Sequence, residues 1–324
     1  MNFFGQPQPH GSGSGASELE TVSPVEPERW GEFIRWIDPL RDSTEVGAAL
    51  QEFQRRQQLQ NHSPPPLESR MRQDRVAGAY MMLLGARVAA VAGVRAVDNH
   101  TLSAVNLLNR LVHEVRSREV VQIQAILDGT DSVATEIVQL AGFVPLAELQ
   151  QLVLLFDKKS SAASERLSTG VQLPSDLEWI AASSVPRDRL TQLLAHTFIE
   201  TLDCPELNGL RSPDDVLEGF LDGQPLEKQQ AWWILASQGK YIGCVLVNRL
   251  PSGSGELAYM GLGPASRGRG YGKILLERGI ASARALGGEM FMAAVDCGNW
   301  PATRLYLQAG FQEHARVQAW FYRP

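Results

Sequence analysis

The chain has 324 residues, enough for two ordinary domains, and 44% hydrophobic with 20% charged residues lets each bury a core. Its formal net charge of −6 excludes a generic binder of phosphate backbones, so no nucleic acid is expected; a small amine or basic peptide suits an acidic surface. Three cysteines without a CxxC pair (Cys204, Cys244 and Cys297) and six scattered histidines offer neither a disulfide framework nor a metal site.

Residues 1–25, rich in Gly, Ser, Pro and Gln, read as a disordered tail. They lack the basic and apolar regions of a signal peptide, and no apolar run approaches the roughly 20 residues that span a bilayer. No membrane partner and a cytoplasmic location are therefore expected. Helices are predicted over Glu28–Ile37 and Thr44–Gln60, the second stopped by Pro64-Pro65-Pro66. Residues 76–97 read as two apolar strands turning at Gly85-Ala86-Arg87, followed by a helix over Leu102–Arg116 and a buried strand over Val120–Leu127.

A polar, Ser-rich linker (158–174) follows, and then the pattern begins again. Leu177–Ala182 reads as a strand, Pro186–Glu200 and Ser212–Leu221 as helices. Ala231–Ala236 and Tyr241–Arg249 read as a hairpin through Gly239, and Glu256–Leu262 as a fourth strand. The two halves also align directly. DGTDSVATEIVQLAGF (Asp128–Phe143) matches DCGNWPATRLYLQAGF (Asp296–Phe311) without a gap, at an offset of 168 residues. Shared Asp, Ala-Thr and Ala-Gly-Phe positions over one segment point to a tandem duplication.

The second half carries a glycine-rich turn, Arg267-Gly268-Arg269-Gly270-Tyr271-Gly272, entering a helix at Lys273 that ends at Gly287-Gly288. Glycines bring backbone close to a ligand, and a helix N-terminus presents unpaired N–H groups beside a partial positive charge. Such a turn cradles an anion, and Arg267, Arg269 and Lys273 add charge around it. Gly272-Lys273 is followed by Ile274, which excludes a Walker A loop, and the GxGxG spacing departs from the dinucleotide fingerprint.

Arg267-x-x-Gly270-x-Gly272 resembles the [Q/R]xxGx[G/A] loop with which GNAT acetyltransferases hold the pyrophosphate of coenzyme A. Leu262-Gly263-Pro264 is similar to that family's approach to the loop. Asn299-x-x-Ala302-x-x-Leu305-Tyr306-x-x-x-Gly310-Phe311 is similar to its last helix. The resemblance covers most of residues 175–324, and the tandem plan resembles that of mycothiol synthase-like members. It implies an α+β chain of two GNAT-like domains, each a mixed, mostly antiparallel sheet flanked by helices: a degenerate one over 26–157 and a catalytic one over 175–324.

The implied activity is acetyl transfer from acetyl-CoA, as co-substrate, to a primary amine by direct attack. Backbone N–H groups of Arg269–Lys273 would hold the phosphates, with Tyr271 contributing through its backbone. The N–H near Leu262, with Gly261 and Gly263 suiting a bulge, would hold the acetyl carbonyl. Asn299 would meet the pantetheine arm or cap the helix, and Tyr306 would protonate the leaving thiolate. Glu256 is the candidate base, with a solvated strand-start residue as its plain reading. Glu200, Asp203 and Glu206 could line the acceptor side, and Cys204 is a poor candidate nucleophile. In the first half, Asp98–Ala104 has no glycine, Val138 replaces the tyrosine and Asp131 the asparagine, so no coenzyme A binding is expected there. A longer acyl donor, or a non-catalytic acetyl-CoA-binding or protein-interaction module, are the competing readings.

Overall fold

The computed structural model describes residues 20–58, 63–84, 87–156, 173–221, 224–250 and 253–323. The Gly85-Ala86 turn, the linker up to residue 172 and residues 1–19 of the expected tail lie outside these. In the first half β1 (Thr21–Pro24), α1 (Trp30–Ile37), α2 (Ser43–Gln57), β2 (Leu67–Met71), β3 (Asp74–Leu84) and β4 (Val88–Ala96) are followed by α3 (Thr101–Arg116), β5 (Gln122–Asp128), α4 (Ser132–Leu140) and β6 (Val144–Leu155). The second half repeats this order: β7 (Leu177–Ala181), α5 (Arg187–Phe198), α6 (Pro213–Leu221), β8 (Trp232–Ser237), β9 (Lys240–Arg249), β10 (Gly255–Leu262), α7 (Tyr271–Ala285), β11 (Met290–Asp296), α8 (Trp300–Gln308) and β12 (Gln312–Tyr322).

All these strands join one 12-stranded sheet, ordered β1-β2-β3-β4-β5-β12-β6-β11-β10-β9-β8-β7. Its pairings are antiparallel except β4–β5 and β10–β11. The last strand of each half has crossed to the other half: β12 pairs with β5 from Val317↔Asp128 to Tyr322↔Ile123, and β6 pairs with β11 from Met290↔Leu155 to Asp296↔Leu149. Between them β6 and β12 pair with each other. β6 and β12 hold corresponding places in the repeat, so each satisfies the backbone donors and acceptors of either half's open edge. The exchange carries side chains with it. Trp320 of β12 is buried in the first half's core among Leu107, Leu108 and Ile137, and Leu152 of β6 is buried in the second half's core beside Phe291 and Phe311.

Helices cover both faces of the sheet. In the second half α7 and α8 close one core, while α5 and α6 close another around Trp232 and Leu246. Two differences from the sequence reading stand out at the start of the chain. The expected tail stops short of residue 25, because Thr21–Pro24 pairs with Leu67–Arg70 and Val25 donates to the Pro66 carbonyl and is buried. β2 was not expected because its Glu68 is charged yet only 2% exposed; Arg70, Arg75 and Arg29 surround it and supply the pairing that burial demands.

Candidate active site

The site begins with a wedge between two strands. β10 pairs with β11 only at Gly255↔Phe291 and Glu256↔Met292, after which the strands part. A bulge leaves Ala258 as the extra residue between Leu257 and Tyr259 against β9, and bulges bend a strand away from its neighbour. The bulge is thus not at Gly261 or Gly263, where the sequence had placed it. Those glycines leave room instead: a Cβ at Gly261 would run into the Tyr259 hydroxyl, and one at Gly263 into the His196 ring. The Gly263 N–H donates to the Ile242 carbonyl of β9 at 2.9 Å. Backbone groups alternate along a strand, so the N–H of the preceding residue, Leu262, faces the opened side.

The wedge opens into a cavity of about 600 Å3, a volume typical of ligand sites. It is lined on β10 by Tyr259–Leu262, on β11 by Ala294 and Val295, on the turn by Arg267, Gly268, Gly270, Gly272 and Lys273, and on α8 by Asn299 and Tyr306. Gly270 is the N-cap of α7 at φ 80°, a left-handed conformation that a side chain would strain, and a Cβ there would project into open space. The first turn of the 15-residue α7 therefore points free N–H groups into the cavity. Phosphate oxygens fit this cradle. Lys273, at its mouth, pairs loosely with Glu277 at 3.8 Å and is largely exposed.

Arg267 does something the sequence did not show. Its guanidinium donates to the carbonyls of Leu262 (3.0 Å), Glu200 (2.9 Å), Thr197 (2.9 Å) and Ile199 (2.7 Å). Three of these belong to the end of α5, where carbonyls lack helical partners. Arg267 thus ties the turn to β10 and to the loop after α5, and its charge is turned to the backbone rather than to an anion. Arg269 is exposed and outside the cavity lining, and Tyr271 packs on the core of the second half.

On the opposite wall Tyr306 is 5% exposed and packs on Phe311, and its hydroxyl has no hydrogen-bond partner among the described residues. Burial, and then the charge of Asp203, push its pKa well above the usual phenol value. Asn299 caps α8 by accepting from the Ala302 N–H at 3.4 Å and also lines the cavity. Glu256 is not brought in. It is exposed, lies outside the lining, and stands six residues from Leu262, about 20 Å along an extended strand. The carboxylates that do line the cavity are Glu200 and Asp203. Glu206 is exposed away from it, and burial pushes the Cys204 thiol up to about 12, which removes it as a nucleophile. No group of three or more His, Cys, Asp or Glu among the described residues is placed to hold a metal, and none of their helices is long and apolar enough to cross a membrane.

Residues 196–311 match the model of the Acetyltransferase (GNAT) family. A mycothiol acetyltransferase of Geodermatophilus obscurus is 34% identical over 70 residues, a stretch covering 22% of this chain and 23% of that protein. The fold as a whole is similar to a GCN5-related N-acetyltransferase from Sphaerobacter thermophilus (TM-score 0.66, 14% identity, 94% of this chain and 96% of that one). It is also similar to a tandem GNAT protein from the clavulanic acid biosynthesis pathway (TM-score 0.59, 12% identity, 94% and 98%). Residues 196–311 are therefore a GNAT acetyltransferase domain, set in a chain that shares the tandem fold of such proteins along nearly its whole length.

Proposed function

We propose that the second half, residues 175–324, transfers an acetyl group from acetyl-CoA to a primary amine by direct attack, and that the first half, residues 26–157, binds no coenzyme A. The observation that carries this reading is a single cavity joining a helix N-terminus, an unpaired strand-end N–H and a buried phenol. Each answers one need of the chemistry. The N–H groups of Gly270, Tyr271 and Gly272 hold phosphates by charge and direction, while the Lys273 N–H closes the turn on the Gly270 carbonyl. The Leu262 N–H, fixed by the Arg267 bond to the same residue's carbonyl, donates where negative charge develops on a thioester oxygen. The amide of Asn299 is placed along the arm between the two. Tyr306, kept protonated by its surroundings, donates to the departing sulfur. An interaction module that had abandoned chemistry would have no use for the open wedge and the unpartnered Tyr306.

The test is calorimetric titration of acetyl-CoA into the wild-type chain and into Gly270→Glu and Gly272→Glu variants. Micromolar binding that weakens at least about 100-fold in both variants supports the reading; this is a loss of at least about 2.7 kcal/mol. Absence of binding to the folded wild type overturns it.

A further inference from the structure

The loss of Glu256 from the site leaves proton removal unassigned, and the cavity holds another carboxylate. A lysine-like amine at pH 7 is almost wholly protonated and cannot attack until a proton leaves. Asp203 lies in the loop after α5, lines the cavity and is itself exposed to solvent. Its Oδ1 accepts from the Asp296 N–H at 3.1 Å, while Oδ2 of Asp296 accepts from the Cys204 N–H at 3.1 Å. This reciprocal clasp joins the loop to the end of β11 and sets two carboxyls side by side. The second oxygen of Asp203 has no partner among the described residues. Independently, the almost wholly buried Tyr306 aims an unpartnered hydroxyl into the same space.

We propose that Asp203 is a catalytic residue that receives the acceptor as an ammonium ion and removes its proton, and that the acceptor is a primary amine with no carboxylate beside the nitrogen. This rests on the acetyl-transfer reading above. One nitrogen–carbon bond forms and one carbon–sulfur bond breaks. Asp203 takes the first proton of the ammonium. Tyr306 gives its proton to sulfur, and the second proton of the nitrogen restores Tyr306. Asp203 then releases its proton to water, so that one ammonium and one thioester become one amide, one thiol and one proton.

The surroundings favour this role. The protein packed around it raises the Asp203 pKa and the neighbouring Asp296 adds to the rise, while the Asp296 N–H bond opposes it; no Arg or Lys among the described residues is paired with it. Tyr306 of α8 and Tyr259 of β10 face it as neutral hydroxyls, the latter bonded to Thr197 at 2.8 Å. Cys204, Glu206 and the partly buried Arg211 follow in its own loop, and Glu200 with the Arg267 clamp stands before it. Asp203 is open to cleft water yet closely walled by protein, so its charge is dear and a cation entering beside it is welcome. A second negative charge next to the acceptor nitrogen would meet both Asp203 and Asp296.

The experiment uses the full chain, with thiol release from acetyl-CoA followed for putrescine and phenethylamine and, as controls whose only amine sits beside a carboxylate, glycine and alanine. Wild type is expected to use at least one of the first two and to disfavour the controls. The acid limb of its kcat/KM profile should lie above the ordinary carboxylate range. Asp203→Asn should lower kcat about 100-fold, raise the amine KM and lose the acid limb, with acetyl-CoA affinity unchanged within about threefold. Tyr306→Phe should lower kcat and keep the limb, and Asp203→Glu should restore part of the rate. A wild-type rate and acid limb in Asp203→Asn overturns the proposal, as does preference for the carboxylate-bearing amines, or no turnover of putrescine or phenethylamine by protein that binds acetyl-CoA. Failure of acetyl-CoA to bind at all would instead strike the acetyl-transfer reading.

Discussion

The two halves share an element order but treat corresponding positions in opposite ways. Val138 stands where the second half has Tyr306, and is fully buried in a closed apolar core. Val94, at the place of Leu262, is buried in that same core, whereas Leu262 lines an open cavity. Asp131 still caps its helix, accepting from the Ala134 N–H at 2.9 Å, as Asn299 does in the second half. The entrance to α3 has no glycine, and its cap residue, His100, makes no side-chain capping bond. Carboxylates differ as sharply. Burial pushes Glu68 of the first half upward, but the guanidiniums of Arg70 and Arg75 more than offset this and hold it below the usual value. Asp203 of the second half is raised and has no such counter-charge among the described residues. Packing and charge pairing serve stability in one half, while the other keeps space and an unbalanced charge, the usual marks of a reactive site.

The largest expected effect comes from the element the halves exchange. Removing residues 312–324 takes β12 from between β5 and β6 and should unfold both halves, seen as loss of the cooperative thermal transition by circular dichroism. A milder form, Trp320→Ala, should cost about 3–5 kcal/mol. It should also speed amide exchange in α3 and β4, although the residue lies at the far end of the chain. Unchanged exchange there would show that the exchanged strand does not hold the first half.

Next in size are substitutions at the paired positions 306 and 138. Tyr306→Phe should lower kcat by about two orders of magnitude or more, roughly the share of a general acid, with acetyl-CoA binding kept within about threefold. Val138→Tyr should leave activity alone but overpack the first core, costing about 1–3 kcal/mol in denaturant unfolding. Equal effects on activity from the two would erase the distinction between the halves.

The smallest effects concern pH. Glu68 has a depressed folded pKa, so its contribution is present above the unfolded value of 4.5 and is lost as pH falls through the lower folded value. Glu68→Gln should therefore lower the thermal midpoint at pH 7 and approach the wild type on acidification. Asp203 has the opposite sign: its folded pKa lies above the unfolded value of 3.8, so ionisation costs stability as pH rises through the folded value. Asp203→Asn should raise the midpoint at pH 8 and leave it nearly unchanged below pH 3.

These contrasts also mark what could be read from the sequence. The turn at Gly268–Gly272 and the capping Asn299 were legible because glycine spacing and caps act over a few neighbouring residues. The repeat was legible through Asp128–Phe143 and Asp296–Phe311. The strand exchange was not, because β6 and β12 carry the same pattern whichever edge they complete. Asp203 was visible only as one of several acidic residues; its role depends on a loop folding onto Asp296, 93 positions away. Arg267 looked like a phosphate ligand because its position in the turn shows, while the four carbonyls that receive it do not. Glu256 fitted a motif distance, yet the strand carries it away from the cavity.

The division of labour between the halves is tested most directly by hydrogen–deuterium exchange with and without saturating acetyl-CoA. Added protection at residues 262–273 and 299–306, with none at the corresponding 94–104 and 131–138, is the predicted result. Protection at 94–104, or none at 267–273 despite binding, would contradict a single donor site built by the second half.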